Sequence, residues 1–191
     1  MNTPVTAAAS PAAFSHAPIP AANSSISGFE ELAPTSIIQQ VITDWFELIH
    51  PVAPILHRDS FLRRLSDPVA SRNPDFVNLV ISLCAATVAA LRRRASAYGD
   101  RITVEKCYEI VRRNEQARDL QSVNLEWCQT KYNLSTSLGP ERGIDNPASH
   151  ILLAEATAGI GYLLHFEITK LPFITQELVK RLYWLCFAAN W

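Results

Sequence analysis

No lysine or arginine occurs before Arg58. Secretory and mitochondrial presequences carry positive charge near their start, so neither is expected here. No two cysteines form a C-x-x-C pair: Cys84, Cys107, Cys128 and Cys186 stand far apart, each inside a helical apolar pattern. They read as reduced core residues of an intracellular protein, not as a disulfide frame or a zinc site. Net charge is −1 and 18% of residues are charged, so no global basic field draws the chain onto nucleic acid. No apolar run approaches the roughly 18 to 20 residues that span a bilayer. No segment alternates with period two over a strand's length, which leaves helices to build the core. Ser135, Ser137 and His150 sit in no G-x-S-x-G turn, and the glycines form no phosphate-binding loop.

What is present is apolar bulk. Hydrophobic residues make up 48% of the 191, enough for one domain with a sizeable core. Residues 1–34 differ: rich in Ala, Pro and Ser, with Phe14 and Phe29 as the aromatics. Such a segment buries too little surface to offset the entropy of ordering it and is expected to be a disordered lead-in. Phe29 to Leu32 is its one stretch suited to docking on the domain.

The domain is organised around Ile37 to Phe61, IIQQVITDWFELIHPVAPILHRDSF. Ile37, Ile38, Val41, Ile42, Trp45, Phe46 and Ile49 share one helical face, after a start signal at Pro34 with Thr35 or Ser36. Pro51 is expected to end that helix by removing an N–H and pushing His50 out of the α region. Pro54 keeps the next residues extended, Ile55 and Leu56 point inward, and Asp59 or Ser60 caps a short helix carrying Phe61, Leu62 and Leu65. Asn73 with Pro74 opens a helix apolar nearly all round, closed by Arg92, Arg93 and Arg94. Thr103 opens another after a turn at Tyr98-Gly99-Asp100, with Val104, Cys107, Tyr108 and Val111 inward. Ser122 to Leu138 follows, stopped by Gly139-Pro140. Ala148 to His165 contains Gly159 and Gly161, whose cost of about 1 kcal/mol each against Ala suggests a close helix approach. After a loop at Thr169 to Pro172, Thr175 caps a last helix with Ile174, Leu178, Leu182, Leu185 and Ala189 in a stripe, widened by Tyr183, Trp184 and Phe187. The expected architecture is all-α, about six or seven helices in antiparallel pairs after the disordered tail.

Several residues admit two readings. His50 and His57 match no helical ligand pair, and the structural reading has them tying down the turn by hydrogen bonds rather than binding metal. Arg92-Arg93-Arg94 is a helix C-terminus favoured by the macrodipole before it is a phosphate patch or import signal. Glu155, among apolar neighbours, is expected to pair with an arginine such as Arg181 rather than to act as a catalytic base. Trp45, Phe46, Trp127, Tyr132 and Trp184 either line a gap between helices or are plain core.

The segment WFELIHPVAPILHRDSF resembles the opening of the regulatory, or middle homology, domain of fungal binuclear zinc-cluster transcription factors. The resemblance rests on Trp45, Phe46, His50, Pro51, Pro54, Ile55, Leu56, His57 and Phe61 in that order. Three later stretches are similar to the same domain: LEWCQTKYNLSTSLG through Gln129, AEATAGIGYLLHFE through Leu164 and His165, and ITQELVKRLYWLCFAAN through Glu177, Lys180, Arg181, Tyr183 and Trp184. Leu163 stands where the family has Gly, and Asn190 where it often has an acidic residue. The matched positions are mainly structural.

The resemblance covers about residues 35–191 and implies the N-terminal part of a domain that normally continues through further helices. The expectation is therefore a domain truncated at the C-terminus, with apolar faces around Cys84 and Trp184 left uncovered and a tendency to aggregate. It further implies a nuclear, non-enzymatic module. Its partners are other regions of the full-length factor, co-regulators and a small-molecule effector, with neither DNA contact nor membrane contact of its own. Zinc belongs to a preceding six-cysteine cluster that this chain lacks, so no cofactor is expected. A fragment without independent function, and an unrelated helical enzyme or small-molecule-binding protein, are the competing readings.

Overall fold

The computed structural model describes residues 28–91, 97–98, 101–116, 123–143 and 145–189. The lead-in over 1–27, Arg92 to Arg94, Gly99, Asp100, Ser122, Asn190 and Trp191 lie outside the described residues. Seven α-helices occur among the described residues, with no strand: α1 Thr35–Asp44, α2 Arg58–Leu65, α3 Pro74–Ala90, α4 Val104–Glu115, α5 Leu125–Arg142, α6 Pro147–Tyr162 and α7 Phe173–Ala189. The all-α expectation holds.

α3 is the hub. Asn73 caps it by accepting from Phe76 N–H, Pro74 takes the first turn, and twelve of its side chains are buried. α1, α4 and α5 pack on it; α5 in turn packs on α6, and α6 on α7. The α5–α6 connection is short, so those two helices run antiparallel. α6 with its continuation to Lys170 has the length and mean hydropathy, 1.3, of a bilayer-crossing helix, which the sequence had not shown as one run. Its contacts here are with α5 and α7.

The ordered domain starts before residue 35. Phe29, Leu32 and Ala33 are buried, Lys106 Nζ donates to Leu32 O at 2.9 Å, and Arg113 pairs with Glu31 at 2.6 Å. Residues 28–34 therefore belong to the fold, not to the lead-in in which the sequence places them.

Three local expectations are corrected. The first helix ends before Pro51 as expected, at Ile49, but its cap His50 is not pushed out of the α region: it has φ −53° and ψ −35°. The helix widens into a π-turn over Trp45–Ile49, with His50 N–H donating to Trp45 O at 2.9 Å. α5 is not stopped by Gly139-Pro140 but runs to Arg142 and ends at Gly143, φ 97°. Gly139 offers no Cβ to clash with the proline ring, and Arg142 holds the last turn to α4 by pairing with Glu105 and covering the Tyr108 ring at 5.1 Å. α7 starts at Phe173 rather than at a Thr175 cap, and its inner face is Leu178, Val179, Leu182 and Cys186, leaving Ile174 outside. Cys84 is fully buried, so no face around it is uncovered, whereas Trp184 is exposed.

Candidate functional site

Between the π-turn and α2, the carbonyls of Pro54, Ile55 and Leu56 take no backbone hydrogen bond among the described residues, so they need partners from elsewhere. Three side chains from three elements supply them on consecutive residues. Arg181 Nη1 of α7 reaches Pro54 O at 3.5 Å, Gln129 Nε2 of α5 donates to Ile55 O at 2.6 Å, and His50 Nε2 donates to Leu56 O at 2.9 Å. Gln129 is 2% exposed, so its amide replaces water that the Ile55 carbonyl has lost. Donation to a carbonyl fixes the His50 tautomer with hydrogen on Nε2. His57 has the opposite role. It caps α2 by accepting from Ser60 N–H at Nδ1, with Ser60 Oγ 2.9 Å away, so the cap is His57 and not Asp59 or Ser60. The two histidines tie down the turn, as their structural reading required.

Behind this strap runs a row of aromatic rings. Trp45 meets Phe46 edge-on at 5.0 Å, Phe46 meets Phe61 at 5.7 Å, and Phe61 meets Phe76 at 5.4 Å. Arg64 lies over Phe76 at 4.3 Å and Arg58 over Phe46 at 5.7 Å.

Leu56, at the end of the braced strap, and His57 after it line one side of a cleft of about 730 Å³. The floor is apolar, from Leu56, Phe61, Phe76, Leu79, Leu163 and Leu178. The rim is polar, and its groups are engaged with one another. Arg64 pairs with Glu126 through both carboxylate oxygens, Asn124 Nδ2 donates to Asp75 Oδ2, and His57 holds Ser60. Of the residues singled out from sequence, His57, Leu56, Phe61 and Gln129 line the cleft. Trp45, Phe46, Trp127, Tyr132 and Trp184 do not share a gap: the first two are buried core, Trp127 and Tyr132 pack against it, and Trp184 is exposed. Pro51 is exposed beside the strap, Leu164 and Tyr183 pack against the core, and His165 is exposed next to Phe166, away from the brace. Glu177 and Lys180 pair with each other at 2.8 Å. Arg64, Glu126, Asn124 and Tyr162 were not singled out beforehand. They converge from separate elements, and nothing local in the sequence marks them.

Glu155 pairs not with Arg181 but with Lys131, whose Nζ lies 2.8 Å from Glu155 Oε2 and 2.7 Å from Glu115 Oε2. The Glu155 contact is a close ion pair without hydrogen-bond alignment. Lys131 is 6% exposed and bridges α4, α5 and α6 beside a smaller cavity of about 190 Å³. The four cysteines are free and buried. Burial pushes the Cys84 thiol up to about 12 and the Cys186 thiol to about 11, so both stay protonated and unreactive at neutral pH. Among the described residues no three of His, Cys, Asp and Glu gather to hold a metal ion.

No protein-family model matches the chain, and no curated protein and no solved structure matches it either.

Proposed function

We propose that the chain is a non-enzymatic regulatory module of the kind that the middle homology domain supplies to fungal zinc-cluster transcription factors. It acts in the nucleus on other regions of a full-length factor and on co-regulators, and makes no DNA contact itself. The cleft takes a small, largely apolar effector bearing a hydrogen-bonding group. The observation that carries this reading is the brace on Pro54, Ile55 and Leu56. Donors from three of the four stretches that resemble the family meet there, and Leu56, the last residue of the strap they hold, lines the cleft beside Gln129. Occupation of the cleft changes what the strap, α2 and α7 pack against, and so gives a ligand differential affinity for two packings. The rim groups are already satisfied by one another, which favours binding over proton transfer or nucleophilic chemistry.

The test places the full 191-residue chain between a heterologous DNA-binding domain and an activation domain in yeast. The expected result is a several-fold change in reporter output against a linker of equal length. Thr175→Trp, which fills the cleft from the start of α7, removes that change and leaves the helical circular dichroism spectrum intact. A folded chain that leaves the reporter unchanged overturns the regulatory reading.

A further inference from the structure

Gln129 is the one buried polar side chain among the described residues that line the cleft, and it is 2% exposed. Its amide has two ends. The nitrogen donates to Ile55 O at 2.6 Å. A carbonyl can only accept, so the nitrogen has to lie on that side and the oxygen on the other. Gln129 Oε1 accepts no hydrogen bond among the described residues. Nor is it sealed off. The described side-chain atoms that are both sealed and without a hydrogen-bond partner are Trp45 Nε1, Glu115 Oε1 and Glu155 Oε2. Gln129 Oε1 is not with them, so it reaches open space, and the open space that Gln129 lines is the cleft. A buried acceptor left without a partner costs free energy, so water or a ligand meets it there.

We propose, resting on the reading of the cleft as an effector site, that Gln129 Oε1 receives the donor of the effector: a hydroxyl or a neutral amide N–H on an otherwise apolar molecule. One amide then holds two things. Its nitrogen braces the strap at Ile55 and its oxygen takes the ligand. Hydrogen bonds in a chain polarise one another, so a donor at the oxygen strengthens the brace at the nitrogen. The charge of the effector follows from its surroundings. Arg64 is engaged with Glu126, Asp75 with Asn124 and Glu167 with Lys170. A carboxylate on the effector would set an acceptor against the amide oxygen. An ammonium would be buried beside Leu56, Leu163 and Leu178, which offer it no counter-ion. A neutral donor meets neither cost. The cleft, about 730 Å³, falls within the roughly 300 to 1,000 Å³ of sites that take drug-sized molecules.

An amide-resolved NMR titration of the full chain with β-naphthol, its methyl ether and β-naphthoate tests this. The three share one apolar body. The first carries a donor, the second keeps the oxygen without the hydrogen, and the third carries a charged acceptor. The expected result is saturable binding of β-naphthol about tenfold tighter than of the ether, with the naphthoate weakest. Thr175→Trp, by filling the cleft, removes the saturable shifts of all three. Gln129→Met keeps the length of the side chain and lacks the amide. Loss of the brace weakens both naphthol and ether, and loss of the acceptor abolishes the difference between them. That difference is the readout, because a merely structural Gln129 would leave it at its wild-type value. Circular dichroism checks that both variants keep their helix content. Equal affinity of the wild type for naphthol and ether, lost together in Thr175→Trp, overturns the assignment to Gln129 and leaves the cleft as an effector site. A wild-type chain that binds none of the three overturns it too, as does a Gln129→Met chain that still prefers naphthol. The reporter assay needs no added ligand and judges the regulatory reading separately.

Discussion

Gly159 is where α6 comes closest to α5. A Cβ there would stand 2.6 Å from Trp127 Cζ3 and 2.8 Å from Cys128 Sγ, distances that force the ring and the sulfur to move. Gly161, two residues on, has nothing within 4 Å. The pattern in the sequence suggested a close approach for both glycines; only the first has one. The pair gives opposite expectations. Gly159→Ala gains about 1 kcal/mol of helix propensity but overpacks the interface at a cost of about 1 to 3 kcal/mol, so it lowers the melting temperature. Gly161→Ala has the gain without the clash and raises it; thermal unfolding of the two variants side by side decides. The buried thiols give a second expectation at this scale. Burial lifts Cys84 from its ordinary 9.0 to about 12 and Cys186 to about 11. Above pH 9 the unfolded chain has released these protons and the folded chain has not. The contribution is therefore complete below about pH 9 and drains away as pH rises toward 11 to 12, at about 1.4 kcal/mol per pH unit for each thiol. Urea midpoints should fall between about pH 9 and 10.5, and Cys84→Ala should show a shallower fall than the wild type. Equal slopes would mean that the thiol at 84 does not titrate as a buried group.

Helices with a side-chain cap next to a periodic apolar run were legible at the level of elements. Asn73 before α3 and Thr103 before α4 cap as their sequence positions indicate, each accepting from an N–H three residues on. Proline was legible at one site and misleading at the other. The first helix ends before Pro51 as its position indicates, whereas Pro140 sits inside α5, because Gly139 before it has no Cβ and Arg142 anchors the last turn to Glu105. At the front of the domain the docking of Phe29 to Leu32 was legible from its apolar residues, while composition set the start of the domain too late. The anchors of that turn were not legible: they are Lys106 and Arg113 on α4, more than 70 residues away. Phe29 is 5% exposed in the main core cluster. Phe29→Ala should cost about 3 to 5 kcal/mol, the range for emptying a phenylalanine site. Urea denaturation of the full chain measures it, and a loss under about 1 kcal/mol would mean that the turn is not part of the cooperative unit.

Across the whole molecule the helices are joined by buried polar contacts that no local pattern discloses. Asn114 donates to Asn78 at 2.9 Å between α4 and α3, and Asn133 donates to Ser82 at 3.1 Å between α5 and α3. α5 carries Gln129, Thr130, Lys131, Asn133, Ser135 and Ser137 as buried residues, so its inward side looks polar in sequence and its apolar stripe is only partial. The same blindness applies to the cleft. Leu56, His57, Phe61 and Gln129 of its lining stood out in the sequence, but its rim depends on Arg64, Asp75, Asn124 and Glu126 meeting across the fold. Lys131 is the strongest of these long-range joints, because one ammonium satisfies Glu115 and Glu155 from two other helices. Lys131→Met leaves both carboxylates facing each other without a cation. The expected loss is roughly 2 to 3 kcal/mol, below the ~3 to 5 kcal/mol of a fully buried pair. The reason for the lower figure is that the Glu155 side chain keeps 41% of its exposure. Adding Glu115→Gln and Glu155→Leu to Lys131→Met removes the uncompensated charges and should recover most of the loss in urea denaturation. Failure to recover would assign the role of Lys131 to the packing of its stem against Trp127, whose ring lies 5.4 Å from Nζ, rather than to its charge.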